Sequence, residues 1–395
     1  MSEIKKLIER LCPEGVEYRK LVDLAEIGTG SSNKQDSIND GKYPFFVRSK
    51  FVERHNEYEY DEEAIIIPGE GGIGDIFHYI NGKYALHQRV YRIHLTTNSV
   101  NAKFAYYYLR NSFKKYILGK AVSATVTSIR KPMIQNFEIP VPPIEVQSKI
   151  VEILDNFTEL EAELEAELEA RRKQYEYYRN QLLTFDKVGG ARFDVKWMKL
   201  IDVLEQPITD GPHETPKFYD VGVPFISVDA IVNNQIDFSK KRGFISEEYD
   251  NICRKKYAPK MHDIYLVKSG STTGKVAIVK TEEKFNIWSP LAAIRVNKDN
   301  DPFYVFYVLQ TKQVQNQIQQ KCSKGSQPNL SMRVLEKFII PVPPLTEQQR
   351  IVSILDRFEA LTTDLQSGLP AEIAARRKQY EYYREKLLTF KRKTA

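Results

Sequence analysis

Chemistry in a protein needs nucleophiles, acids, bases or metal ligands at workable spacings, and this chain of 395 residues offers several partial sets. Gly69, Gly71 and Gly74 satisfy GxGxxG after the strand-like run AIIIP at 64–68, the spacing of a dinucleotide-binding turn. Such a turn works by delivering a pyrophosphate to a helix N-terminus. Here Pro68 precedes the glycines and DIFHYINGKYAL at 75–86 has β-turn-β character, so the better reading is a tight turn presenting backbone and small side chains. SGSTTGK at 269–275 is P-loop-like, yet Ser269 replaces the first glycine and Val276 stands where Ser or Thr should ligate magnesium.

Asp263, Glu282 and Lys284 could in principle make a nuclease site, the acids holding a metal and the lysine orienting a water. The first half of the chain has no counterpart, and 282–284 reads as a solvated turn. The six histidines, His55, His78, His87, His94, His213 and His262, lack HxxxH spacing, and no GxSxG elbow occurs. His78, His87 and His94 could meet across strands, where hydrogen-bonded roles are expected before metal binding. Cys12, Cys253 and Cys322 are odd in number, far apart and free of CxxC spacing, which suits reduced structural thiols.

With no catalytic set in hand, the elements themselves carry the reading. The length suits two or three domains, and 42% apolar with 28% charged residues suits a folded protein. There is no run of eighteen apolar residues, and the first residues are charged, so a cytoplasmic protein without a membrane partner is expected. Lys and Arg outnumber Asp and Glu by 58 to 52, a net charge of +6, which favours polyanions only weakly.

The chain is a duplication. IPVPP occurs at 139–143 and 340–344, followed by IEVQSKIVEILDNF at 144–157 and LTEQQRIVSILDRF at 345–358. Each stretch runs on into RRKQYEYYR, at 171–179 and 376–384, and closes with LLTF, at 182–185 and 387–390. Upstream, YRKLVDLAE at 18–26 answers WMKLIDVLE at 197–205, YPFFV at 43–47 answers VPFIS at 223–227, and FAYYYLR at 104–110 answers YVFYVLQ at 304–310. The upstream domains have diverged, while the helical segments are nearly identical. That contrast suggests that the helices meet one kind of partner and the domains different ones.

Ile150, Ile153, Phe157, Leu160, Leu164 and Leu168 recur at the helical period, and Pro142 and Pro143 mark a start. A helix over 144–185 would be roughly 63 Å long at 1.5 Å per residue, and is expected to pack antiparallel on its copy as a coiled coil. LEAELEAELEA at 160–170 places a leucine every four residues, so the stripe should drift around the helix. The second copy has four more residues between Phe358 and Arg376, including Gly368 and Pro370, where a kink or break is expected. The fold class is α+β: two tandem α/β domains separated by two long antiparallel helices, related by a pseudo-twofold repeat. The segments expected are 1–143, 144–187, 188–344 and 345–395.

The glutamates at 159–169 would repel phosphates, whereas RRKQYEYYR sets cations beside aromatics. That combination can touch a DNA backbone, but on both helices it fits a subunit interface better, with Arg171, Arg172, Tyr175 and Tyr178 in one copy and Arg376, Arg377, Tyr380 and Tyr383 in the other. Donor-rich loops remain as candidates for reading bases and phosphates. In the first domain these present Ser31, Ser32, Asn33, Lys34 and Gln35, then Gly71 and Gly72, then Arg89, and lastly Thr125, Thr127, Arg130 and Lys131. In the second they present His213, Thr215 and Lys217, then Ser271, Thr272, Thr273 and Lys275, and finally Lys324, Ser326, Gln327 and Asn329.

The doubled pattern of a diverged domain, IPVPP[IL]xxQxxIVxILDxF, RRKQYEYYR and LLTF resembles the specificity subunit of type I restriction-modification systems, over essentially the whole chain. The resemblance implies two target recognition domains, each reading one half of a bipartite, asymmetric site in double-stranded DNA. It implies helices that set the separation of the domains and dock two methyltransferase subunits, with restriction subunits joining in the full complex. It also implies no chemistry in this chain: S-adenosylmethionine, ATP and magnesium would sit on partner subunits, and no cofactor here. Neither a [DNS]PP[YF] motif nor helicase signatures occur. A self-contained DNA enzyme and a coiled-coil protein adaptor are the competing readings. A rigid spacer would act as a ruler, one added LEAE unit lengthening it by about 6 Å.

Overall fold

A computed structural model of the chain describes residues 2–120, 128–185, 195–323, 328–363 and 368–394. The chain forms two compact units, Met1–Leu164 with Ile373–Ala395, and Glu165–Glu372. Each therefore takes in helical segments as well as one of the diverged domains. No helix among the described residues is long and apolar enough to cross a membrane.

The first unit is built on a six-stranded sheet ordered Ala25–Thr29, Val90–Leu95, Tyr60–Pro68, His78–Leu86, Tyr43–Phe46 and Glu53–His55. All neighbours are antiparallel except Tyr43–Phe46, which runs parallel to His78–Leu86 with Phe45 opposite Ala85. Successive side chains on a strand point to opposite faces. Ile65, Ile67 and Ile93 accordingly pack on Phe104, Ala105 and Phe113 of the helix Ala102–Lys120. Ala64 and Ile66 face Phe46, Tyr84 and Leu86 on the other side. Both faces are covered, which explains an unbroken apolar run in place of an alternating one.

The second unit repeats the plan in shorter pieces. Thr209–Asp210, Leu291–Ile294, Ile264–Val267 and Val276–Ile278 make an antiparallel sheet, and Gly243–Ile245, Val223–Ile226 and Asn286–Ile287 a second one. Val223–Ile226 is parallel to Asn286–Ile287, with Phe225 opposite Asn286, as in the first unit. Where the first unit has the single strand His78–Leu86, the second divides the corresponding chain into Val276–Ile278 and Asn286–Ile287, and its sheet splits there.

Two of the sequence repeats meet physically. Tyr18–Lys20 pairs with Glu138–Pro140, and Lys196–Lys199 with Ile339–Val342. From these pairs the helices Ile144–Leu183 and Leu345–Thr363 start after the double prolines. A buried glutamine secures each start. Gln147 Nε2 donates to the carbonyls of Ser99 and Pro142 at 2.8 and 2.7 Å, and its Oε1 accepts from Asn101 N–H at 2.8 Å. Gln348 donates to Asn300 Oδ1 and Pro343 O, both at 2.9 Å, and accepts from Asp301 N–H at 2.9 Å. Tyr107 donates to Asp155 at 2.7 Å and Tyr307 to Asp356 at 2.5 Å, tying the equivalent domain helices to the same turn.

The first long helix ends at Leu183, two residues before the expected Phe185. A further helix, Leu369–Leu387, begins with Pro370 in its first turn, the place where a missing N–H costs nothing. This agrees with the expected break, although 364–367 lie outside the described residues. Inside the first unit two helical segments run antiparallel. Phe157 packs tilted against Tyr383, the ring centroids 5.6 Å apart, and Glu161 pairs with Arg377 at 2.5 Å. Burial along the first long helix is uneven: Ile150 and Leu154 are fully buried, Leu160 is 45% exposed, and Leu164 and Leu168 are half-buried.

LLTF closes each core. Leu183 belongs to the second unit's core, while Leu387, Leu388 and Phe390 enter the first. There Val16 N–H donates to Lys391 O at 2.8 Å and Lys393 N–H returns to Val16 O at 2.9 Å.

Candidate nucleic-acid interface

In the first unit five loops distant in sequence are stitched together by backbone hydrogen bonds. Gln88 N–H donates to Ser32 O at 3.0 Å, Gly69 N–H to Arg89 O at 2.9 Å, Ile129 N–H to Gly69 O at 2.8 Å, and His87 N–H to Phe46 O at 3.0 Å. Loops 31–35, 46–48, 69–72, 87–89 and 129–131 thereby share one edge of the sheet. Gly71 and Gly72 turn with φ of +76° and +102°, and the next element is the strand His78–Leu86. No helix N-terminus follows, so the GxGxxG spacing marks a β-turn.

At this edge Arg48 Nη1 donates to Glu70 Oε2 at 2.9 Å, and Arg89 Nη1 donates to both oxygens of Glu70 at 3.1 and 3.0 Å. The guanidiniums of Arg89, first, and of Arg48 hold the Glu70 carboxyl below its usual range. His87 is buried beneath them and accepts from Arg89 N–H through Nδ1 at 3.0 Å. Burial, then Arg48 and Arg89, lowers its basicity, in keeping with a neutral acceptor. Arg130 and Lys131 are exposed beside this edge. Lys34 and Gln35 are exposed too, Lys34 lying 4.0 Å from Glu53. Ser31 N–H and Ser32 Oγ donate to Glu59 at 2.9 and 2.7 Å, and Gln88 donates to Asn33. These three residues therefore fix the loop as well as lining it. Thr125 and Thr127 lie outside the described residues.

The second unit uses the same stitches. Ser289 N–H donates to Pro212 O at 3.2 Å, Lys268 N–H to Pro290 O at 2.9 Å, Leu330 N–H to Lys268 O at 2.7 Å, and Trp288 N–H to Ile226 O at 3.0 Å. Gly30 and Gly211 occupy matching places: an added Cβ would lie 1.8 Å from Leu86 O in one and 1.9 Å from Ile287 O in the other. The displayed side chains differ. Trp288 replaces His87 in the frame, with Arg242 over its ring at 5.1 Å. His213 lies 3.2 Å from the buried Asp210, which Lys256 and Lys268 also approach.

Thr215, Lys217, Ser271 and Lys275 are exposed, and Lys217 sits 5.2 Å from the Tyr219 ring. Thr272 is half-buried, and the Thr273 hydroxyl donates to Gly270 O at 2.7 Å. Thr273 thus closes the turn with the hydroxyl assigned to DNA. Gly270 and Gly274 both have φ of +98° and the strand Val276–Ile278 follows, so SGSTTGK is a β-turn. Asn329 is exposed and its N–H donates to Ser323 Oγ at 3.1 Å. Lys324, Ser326 and Gln327 lie outside the described residues.

The nuclease combination dissolves. Asp263 is buried and bound by Arg295 through two bonds of 2.7 Å and by Tyr257 at 2.6 Å, while Lys284 pairs with Glu247 and Asp250. His78, His87 and His94 each have a different partner, namely Ser49 O, Arg89 N–H and Glu63 O. Among the described residues no group of three or more His, Cys, Asp or Glu is arranged to hold a metal.

The RRKQYEYYR segments have an inner and an outer face. Tyr175 is buried in the second unit's core and Tyr380 packs against the first, so these rings serve packing within the chain. Tyr178 packs tilted against Phe358 and Tyr383 against Phe157, each with ring centroids 5.6 Å apart. Arg172, Arg376 and Arg377 are exposed, and Arg171 pairs with Glu167 at 2.7 Å. Tyr177 and Tyr382, overlooked in the sequence, are each 58% exposed. Arg48, Glu70, Arg242 and Trp288 were overlooked as well. A cation two residues past the parallel strand, in FFVRS, was the available signal for Arg48.

The chain matches the type I restriction modification DNA specificity domain twice, over residues 13–170 and 194–375. It belongs to the type I restriction-modification DNA specificity family. It is 31% identical to a putative type I restriction enzyme specificity subunit of Haemophilus influenzae, over 99% of this chain and 100% of that one. It is 33% identical to the EcoR124I/EcoR124II specificity subunit of Escherichia coli, over 74% and 72% of the two chains. The fold is shared with the type I restriction-modification S subunit of M. genitalium, at a TM-score of 0.58, 17% identity, and coverage of 95% and 96%. In this specificity subunit the repeated domain match coincides with the two loop clusters, one in each unit.

Proposed function

We propose that this specificity subunit selects a bipartite, asymmetric site in double-stranded DNA, each unit reading one half through its loop cluster. The observation that carries the reading is one backbone frame used twice with different side chains displayed. Phosphate contacts position a protein on DNA while base edges specify the site. A fixed frame with exchangeable Arg, His, Lys and Trp side chains supplies both. The helical segments serve as the spacer, paired as an antiparallel coiled coil that sets the unread gap.

Two methyltransferase subunits dock on the outer faces of the two RRKQYEYYR segments, through Arg172 and Tyr177 on one and Arg376 and Tyr382 on the other. Restriction subunits join in the full complex. The chain performs no chemistry in this scheme and works in the cytoplasm, with S-adenosylmethionine, ATP and magnesium held by the partners. A solved structure concerned with complex assembly of the type I R-M system, at a TM-score of 0.60 and 14% identity, shares the fold that the docking reading assumes.

The test is genome-wide adenine methylation by long-read sequencing, in cells carrying the chain with its modification subunits and in cells lacking only this chain. A split motif of fixed gap should vanish with the chain. Methylation that is unchanged by the deletion would refute the assignment.

A further inference from the structure

Arg48, Glu70 and Arg89 form a cluster that the structural needs of the first unit do not explain. The arginine side chains are 42% and 57% exposed and Glu70 is 35% exposed, so the cluster closes no core. Both arginines engage Glu70 through Nη1 alone. Among the described residues the Nε and Nη2 atoms of each therefore keep their donors free, on the edge that makes bidentate contacts. Both Nη1 atoms touch the same oxygen, Glu70 Oε2, at 2.9 and 3.0 Å. The two forks therefore lie within reach of neighbouring base pairs, which are spaced about 3.4 Å apart.

The backbones are held as firmly as the heads. Arg89 is bonded through its carbonyl to Gly69 N–H and through its N–H to His87, at 2.9 and 3.0 Å. The turn at Gly71 passes so close to Arg48 that an added Cβ would lie 3.0 Å from Arg48 O. A carboxylate between two arginines opposes a nearby phosphate, but it suits arginines aimed at neutral acceptors. The acceptor pair that matches an arginine fork on a base edge is guanine O6 and N7. Following the matched backbone bonds, the second unit has Val228, Ser269 and Pro290 at these three positions and so lacks the device.

We infer that Arg48 and Arg89 read guanine in the major groove of the half-site bound by the first unit, with Glu70 as the positioning residue. The inference rests on the DNA-reading role proposed above and adds the base and the side chains. Lysine keeps the charge of arginine but loses the fork, so Arg89→Lys and Arg48→Lys separate base reading from phosphate attraction.

The experiment is the methylated motif in cells expressing the full chain with its modification subunits, wild type or variant. Each lysine variant should lose roughly five- to 150-fold discrimination at a G·C pair in one half-site, leaving the other half and the gap unchanged. Glu70→Gln should weaken discrimination at the same pairs while tightening binding of the purified complex to non-target DNA. A structural loss would weaken both. Relaxation at an A·T pair, an even loss over all sites with the motif intact, or no change overturns the inference while the wild-type motif stands. A wild type without any split motif overturns the DNA-reading proposal and the inference together.

Discussion

Gly30→Ala tests whether the stitched frame, and not loop composition, places the reading residues. The new Cβ would fall 1.8 Å from Leu86 O and 2.2 Å from Leu86 C, both backbone atoms, so no rotamer change relieves it. Separation by more than 1 Å strains the Ser32 N–H to Leu86 O and Gln88 N–H to Ser32 O bonds, of 3.3 and 3.0 Å. Two lost bonds cost about 0.5–1.5 kcal/mol each, and overpacking adds about 1–3 kcal/mol. We therefore expect destabilisation of roughly 2–6 kcal/mol in urea titration, at an unchanged m-value. Gly211→Ala should behave alike, its Cβ lying 1.9 Å from Ile287 O. Gly119→Ala is the control: it meets nothing within 4 Å in the helix Ala102–Lys120 and should stabilise by up to about 1 kcal/mol. If Gly30→Ala and Gly119→Ala shift the midpoint alike, the frame argument is wrong.

Gln147→Leu keeps the size of the side chain but strips the partners of Ser99 O, Pro142 O and Asn101 N–H, and should cost about 2–4 kcal/mol. Gln348→Leu should cost about as much, and because the two share no partners the double variant should be additive by denaturant titration. Strong non-additivity would show that the two helix starts are not independent. Glu359 is buried, and burial raises its carboxyl, against the opposing effects of Lys280 and Tyr307 and alongside that of Asp356. An acid whose folded value is raised gives stability that is complete below its ordinary value near 4.5 and is lost as pH climbs through the raised one. Glu359→Gln should therefore gain melting temperature over wild type from pH 4.5 to pH 8, and a gap that does not change with pH would refute this.

The elements best seen in the sequence are those whose local rules agree with their packing. Double prolines start both helices, apolar runs make the doubly covered strands, and Pro370 opens a new helix. Convergence of loops was not legible, because it depends on bonds such as Gly69 N–H to Arg89 O and Ile129 N–H to Gly69 O, whose partners are 20 and 60 residues apart. Composition alone marked Ser31, Ser32 and Thr273 as readers, yet each also spends a donor on shaping its loop. Arg48 sits in an unremarkable stretch and gains meaning only beside Glu70.

The near-identity of the helical repeats has a cause inside the chain. Tyr178 from one RRKQYEYYR meets Phe358 from the other copy's ILDRF, and Tyr383 meets Phe157 from the first copy's ILDNF, with the same ring separation of 5.6 Å. Arg179 and Arg384 cover Tyr175 and Tyr380 at 5.2 and 5.3 Å. Each motif is thus bound to a partner drawn from the other repeat, and a change in one would need a matching change in its counterpart. This packing leaves Tyr177 and Tyr382 outside, equal in exposure and in sequence setting. At the loop edges the two units share the backbone frame and not the displayed side chains. Arg48, Glu70 and Arg89 can give way to Val228, Ser269 and Pro290 without disturbing a stitch. Duplication followed by divergence there leaves two different displays on one frame, the arrangement that the proposed reading of an asymmetric target needs.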